Sequence, residues 1–178
     1  MVRSPLHLRL RESTAAAHEH LENLVGELTD LAAYKRYLSG IYAFRQPIEV
    51  AWADSGWPPR FGGWRPTMIA SAMDRDLADL GLARPRPEQP HLDTDFAARL
   101  GTLYVLEGSS LGAKLLLRNV RMLGLAEDFG ARHLSLQANA DTWRSYLRLL
   151  EQDDEADPDA VIAAANETFA VAARAFTD

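Results

Sequence analysis

Apolar residues recur at three- and four-residue spacing along nearly all of this 178-residue chain, and no stretch alternates with the period of two that a half-buried strand needs. The pattern predicts an all-α fold. A first helix is expected over residues 6–28, where Leu10, Thr14, Ala17, His18, Leu21, Leu24, Val25 and Leu28 form one buried stripe. Thr29-Asp30 opens a second over 31–53, with Tyr34, Tyr37, Leu38, Ile41, Tyr42 and Phe44 facing the core. Pro47 is expected to kink that helix, because proline removes a backbone donor. Pro66 suits the first turn of a third helix running to Leu82, and Pro85, Pro87 and Pro90 mark an internal loop. Asp93-Thr94-Asp95 caps a long fourth helix over 96–123 that Gly124 closes. A fifth is expected over 133–151, and a sixth starts at Asp157-Pro158.

A chain of this length with 47% hydrophobic residues can bury a full core, so one domain over residues 1–178 is expected. The net charge of -6 argues against general nucleic-acid binding. No apolar run reaches the roughly 18 residues of a membrane span, and the first residues do not lead into a signal-peptide core. A cytoplasmic protein is expected. Cysteine is absent, which removes disulfides, thiolate metal sites, iron-sulfur clusters and a Cys nucleophile.

The fourth predicted helix carries glycines at i and i+4, Gly108 and Gly112, with Ser109 and Ser110 between them. Each costs about 1 kcal/mol relative to Ala in a helix, so a pair on one face implies that something lies against bare backbone. That something is either a second helix packed closely or a flat ligand. His18 tips the balance toward a ligand, since an imidazole on another helix offers a planar group a coordinating nitrogen. Glu22 follows His18 by one turn, the spacing at which a carboxylate orients an imidazole. Arg11 precedes it by two turns, about 10 Å at 1.5 Å per residue, within reach of an acidic edge of a large planar ligand. Tyr104, one turn before Gly108, is either core or pocket wall. His7, His20, His91 and His133 show no equivalent partners and are expected in solvent or loops. Arg118, Arg121, Arg132, Arg144 and Arg148 are candidates for a positive patch. A di-iron carboxylate bundle would need two Glu-x-x-His pairs on helices, whereas the chain has one, Glu88 to His91, in the proline-rich loop, and the G-x-S-x-G letters at 108–112 have no strand before them.

Two segments carry a family resemblance. Leu10-Arg11-Glu12-Ser13-Thr14-Ala15-Ala16-Ala17-His18-Glu19-His20-Leu21-Glu22 resembles the N-terminal signature of heme oxygenases. Gly101-Thr102-Leu103-Tyr104-Val105-Leu106-Glu107-Gly108-Ser109-Ser110-Leu111-Gly112 is similar to the distal helix of their bacterial, bacteriophytochrome-associated branch. The resemblance implies a helical bundle that sandwiches heme between the first helix and a glycine-kinked distal helix, and oxidative opening of heme to biliverdin with release of iron and carbon monoxide. It implies His18 as proximal iron ligand, with Glu22 as its orienting partner. Gly108, Ser109 and Gly112 would shape the face where dioxygen binds, and Arg11, Tyr104 and Arg144 would contact the pigment or its propionates. Heme is then both cofactor and substrate.

The chain departs from mammalian members, which carry an aspartate where Ser109 stands; hydroxyls of Ser109 and Ser110 would hold water instead. No Rossmann fingerprint, flavin motif or iron-sulfur ligand set is present, so electrons are expected from a ferredoxin or flavoprotein reductase docking near the arginines, with a bacteriophytochrome as biliverdin acceptor. Two competing readings share the scaffold: a non-catalytic heme-binding or heme-sensing protein, and a thiaminase-like relative that takes up no heme.

Overall fold

The computed structural model describes residues 5–86, 93 and 95–177. Pro87, Pro90, His91 and Thr94, which figured in the expectations above, lie outside the described residues. The architecture is all-α: α1 (Pro5–Val25), α2 (Leu31–Ser55), a 3-10 turn (Pro59–Phe61), α3 (Ala70–Asp79), α4 (Phe96–Gly108), α5 (Ser110–Arg121), α6 (Arg132–Asn139), α7 (Thr142–Gln152) and α8 (Pro158–Ala175). Helix α8 is the central pillar, packing against α4, α1 and α2, while α5 leans on α6. Among the described residues no helix is long and apolar enough to cross a membrane.

Start signals in the sequence correspond to real caps. Asp30 accepts from the Ala33 amide at 2.7 Å, Asp95 from Ala98 at 2.8 Å and Asp157 from Asp159 at 3.0 Å. Helix α2 runs through the buried Pro47 without interruption to Ser55. Beyond it, the Arg99 guanidinium of α4 holds the Gly56 carbonyl at 2.6 Å and the Ser55 hydroxyl at 2.8 Å.

Four boundaries differ from expectation. Helix α1 stops at Val25 rather than Leu28, because Gly26 takes a left-handed φ of 65° while its amide still reaches the Glu22 carbonyl. Pro66 opens no helix: the amides of Thr67, Ile69 and Ala70 are taken by glutamates of α4 and α2, and helix begins only at Ala70. The long fourth helix is broken at Ser109 into α4 and α5. The fifth is broken at Ala140, whose ψ of 138° is extended, into α6 and α7.

One glycine sets a helix contact. A methyl group on Gly101 would collide with the Val161 carbonyl and the Ala164 side chain, so α4 and α8 touch backbone to backbone there. Nearby, the Thr168 hydroxyl donates to Thr102 across the same seam at 3.1 Å.

Candidate functional site

Residues His7, Arg11, Thr14 and His18 recur at helical spacing along one side of α1. Their neighbours lie on α4 and α7. The His7 ring stands 6.4 Å from Tyr104 and 5.9 Å from Trp143, and Tyr104 is itself 5.7 Å from Trp143. Burial pushes the Tyr104 phenol up, while a hydrogen bond with Thr14 and the Arg11 charge pull it back in part. Tyr104 is therefore half-buried at the edge of the core, joined to the α1 face by polar contacts. Arg11 is exposed beside it.

His18 is the next member of this row. The expectation that it is buried is corrected: its side chain is 58% exposed, and of the α1 stripe only Leu10 and Thr14 are buried inside the helix. The cause is that α1 leans on α8, whose cover reaches Leu10 and Thr14 but leaves His18 mostly in solvent. Phe169 of α8 supports the imidazole edge-on at 5.9 Å. Glu22 lies beside it with Oε2 3.6 Å from Nδ1.

The second candidate element is the break between α4 and α5. Ser109 and Ser110 donate their hydroxyls back to the carbonyls of Leu106 and Glu107 at 2.7 and 2.6 Å, which satisfies the end of α4. Ser109 also accepts from the Gln137 amide at 2.9 Å. A methyl group on Gly108 would reach only the Trp143 ring at 3.6 Å, and one on Gly112 would meet nothing within 4 Å. The pair does not serve close helix packing. Beside Gly112, Leu111 and Leu115 are 64% and 63% exposed, an uncovered apolar strip on the first two turns of α5. A cavity of about 620 Å³ lies elsewhere, among α2, α8 and the end of α1, and none of the residues expected at the site lines it.

The arginines do not act as one patch. Arg132 is turned inward to Asp76 and Asp79, Arg121 pairs with Glu127, and the exposed Arg144 lies 3.7 Å from Asp141. Arg118 and Arg148 are exposed. His133, expected in solvent or a loop, is wholly buried: its Nδ1 bonds Asp76 at 2.8 Å and its ring stacks on Tyr34 and Tyr37. The missed partner, Asp76, is distant in sequence and no local spacing announces it.

Sequence reasoning also missed Trp143, Phe169 and a buried charge cluster of Arg45, Glu49 and Glu107. The cluster had a signal. Arg45 and Glu49 stand one turn apart in a helix otherwise apolar on that side, and charges at such positions persist only when paired.

Comparison with known proteins decides the family. The chain is 33% identical over 150 residues to Heme oxygenase PigA of Pseudomonas aeruginosa, covering 80% of this chain and 76% of that one. The chain belongs to the heme oxygenase family. The fold agrees: a heme oxygenase from Neisseria meningitidis, solved in NO- and CO-bound forms, superposes with a TM-score of 0.76, covering 97% of this chain and 92% of that one at 23% identity. No family model matches the chain. Heme oxygenases are heme-degrading oxidoreductases, and the row on α1 and the glycine-bearing break are the parts of this heme oxygenase bundle on which the family signatures fall.

Proposed function

We propose that the protein binds heme between α1 and the α4–α5 break and opens it to biliverdin, releasing iron and carbon monoxide. The observation that carries this reading is an exposed imidazole on α1, with Glu22 Oε2 at 3.6 Å from Nδ1, in a chain whose glycine at 112 has nothing within 4 Å of where a side chain would start. A flat apolar ring with an acidic edge fits these residues. Leu111 and Leu115 offer it apolar contact, Nε2 of His18 offers iron a ligand, and Arg11 beside Tyr104 offers a propionate a cation. Arg144 is the second cation in this reading, released from Asp141 by a competing carboxylate.

Heme, as substrate, supplies both the iron that engages dioxygen and the carbon that is oxidised. The chain's own residues bind, orient and exclude. Glu22 holds the imidazole ring in one orientation, which keeps the iron-facing nitrogen fixed. Gly112, with nothing within 4 Å of where a side chain would start, leaves room for dioxygen, and Gly108 keeps the backbone bare beneath the Trp143 ring. The Ser109 hydroxyl, fixed by Leu106 and Gln137, is a site for ordered water. Electrons come from an external donor, a ferredoxin or a flavoprotein reductase, and a bacteriophytochrome is the acceptor in keeping with the branch the signatures resemble.

Hemin titration of the parent and His18→Ala proteins, followed by ascorbate, tests the reading. The parent should give a nitrogen-ligated spectrum that His18→Ala loses, and the Soret band should then fade as biliverdin absorption grows. An intact heme spectrum after reduction would reduce the protein to a heme binder; equal spectra for parent and variant would remove His18 from the iron.

A further inference from the structure

The distal break rests on the buried charge cluster. Arg45 of α2 donates from Nε to Glu49 at 3.0 Å, from Nη1 to the Leu106 carbonyl at 3.0 Å and from Nη2 to the Thr67 carbonyl at 2.9 Å. Glu49 accepts the Ile69 and Ala70 amides, both at 2.8 Å, and so caps α3 from a neighbouring helix. Glu107, the residue before Gly108, accepts the Thr67 amide through Oε1 at 3.0 Å, while its buried Oε2 meets no donor. Thr67 in turn touches Thr142 hydroxyl to hydroxyl at 3.0 Å. Trp143 follows and covers Gly108. One strand of contacts thus runs from α2 through Thr67 to both walls at Gly108.

The charges facing Glu107 are Arg45 and Glu49 on α2, with the Tyr146 phenol on α7 and the hydroxyls of Thr67 and Thr142 beside it. One guanidinium stands against two carboxyl groups. Burial, the largest influence, pushes the Glu107 carboxyl up, and its contacts with Thr142, Thr67 and Arg45 do not bring it back. A neutral carboxyl keeps Oε1 as an acceptor for Thr67 and avoids a buried, half-partnered anion.

We propose that Glu107 is a positioning residue that, through Thr67 and Arg45, sets the height and tilt at which α4 ends, and so selects which edge of the pigment is cut. This rests on the heme reading above. Glu107 does not touch the reacting atoms. It acts by holding Gly108 against Trp143 and by holding Leu106, whose carbonyl receives both Arg45 and Ser109. An uncharged amide serves the same connection, whereas an apolar side chain breaks it and leaves the Thr67 amide buried without an acceptor.

The test compares Glu107→Gln, Glu107→Leu and Arg45→Lys in the hemin-loaded protein. Three quantities are read: thermal unfolding without hemin, the midpoint of the pH-dependent visible spectrum of the ferric complex, and the ratio of biliverdin isomers after reduction. Glu107→Gln should match the parent in midpoint and isomer ratio. Glu107→Leu should move both, the ratio by on the order of tenfold, as expected when a wall shifts by a fraction of an ångström. Arg45→Lys keeps the charge but loses the reach to Leu106 and Thr67; it should move them in the same sense, and it carries the test if Glu107→Leu does not fold. A folded Glu107→Leu or Arg45→Lys protein with the parent's midpoint and ratio would overturn the proposal. So would a Glu107→Gln protein displaced as far as Glu107→Leu, since charge rather than connection would then be at work. Failure of the heme reading looks different: the parent itself would show no His18-dependent hemin spectrum.

Discussion

His133 and Asp76 form a wholly buried pair, Nδ1 to Oδ2 at 2.8 Å, that joins α6 to α3. Asp76 also accepts the backbone amides of Arg132 and His133, both at 3.0 Å, so one carboxylate starts α6 and anchors its first histidine. Helix α6 in turn supports α5. The pair therefore supports α5 indirectly, through α6.

Replacing Asp76 by Asn should destabilise the fold by about 3 kcal/mol, since it strips charge from a buried network built around it. Burial raises the Asp76 carboxyl, but the bonds from His133 and Arg132 outweigh it and hold the group below the usual carboxylate value. A lowered folded value means stabilisation that is present above the unfolded pKa and lost as pH falls through the folded one. Urea unfolding across acidic pH should therefore show a steeper acid decline in the parent than in Asp76→Asn; parallel curves would contradict this.

Glu107 has the opposite sign. Its raised folded value means that the neutral form is favoured in the fold, so stability is present below the unfolded pKa and declines as pH rises above about 4.3, the ordinary Glu value. Glu107→Gln should remove that decline. The check is the pH profile of unfolding free energy for the two proteins, and an unchanged slope would mean that the parent carboxyl is already ionised.

Two glycines one helix apart should respond in opposite ways. Gly112→Ala meets no neighbour and should raise stability by up to about 1 kcal/mol through helix propensity, while loosening hemin. Gly101→Ala drives a methyl into the Val161 backbone and should cost about 3 kcal/mol or prevent folding. Calorimetric melts with and without hemin separate the two effects.

Glu22→Gln should weaken hemin binding by about tenfold, the lower end of what loss of an orienting carboxylate costs, because the His18–Glu22 pair is largely exposed. Binding isotherms at fixed pH measure it. An unchanged affinity would show that Phe169 alone fixes the ring.

Helix identity was legible where signals were local. Asp30 and Asp157 cap where the sequence placed starts, and the spacing of Leu10, Thr14 and Leu21 gave α1 its inward side. Pro66 misled because the fate of its following amides is decided by Glu49 and Glu107, side chains remote in sequence. The exposure of His18 was hidden for a related reason: periodicity gives a helix its apolar side but not how far the next helix covers it. Arg11, His18, Glu22, Gly108 and Gly112 could be named as candidates from the sequence because their proposal needs only local spacing. The contacts of Trp143 with His7 and of Phe169 with His18 needed the fold, since each ring comes from a helix far along the chain.

Gly101 and Gly108 lie seven residues apart on α4, two turns along the same side. The first lets α4 seat directly on α8, and nothing larger would let the helix settle there. Sliding α4 along that seam by even one turn would carry Gly108 about 5.4 Å away from Trp143. The absence of a side chain at a purely architectural position is thus what sets Gly108 in register with Trp143, and the two bare spots are a single measurement made at both ends of one rod.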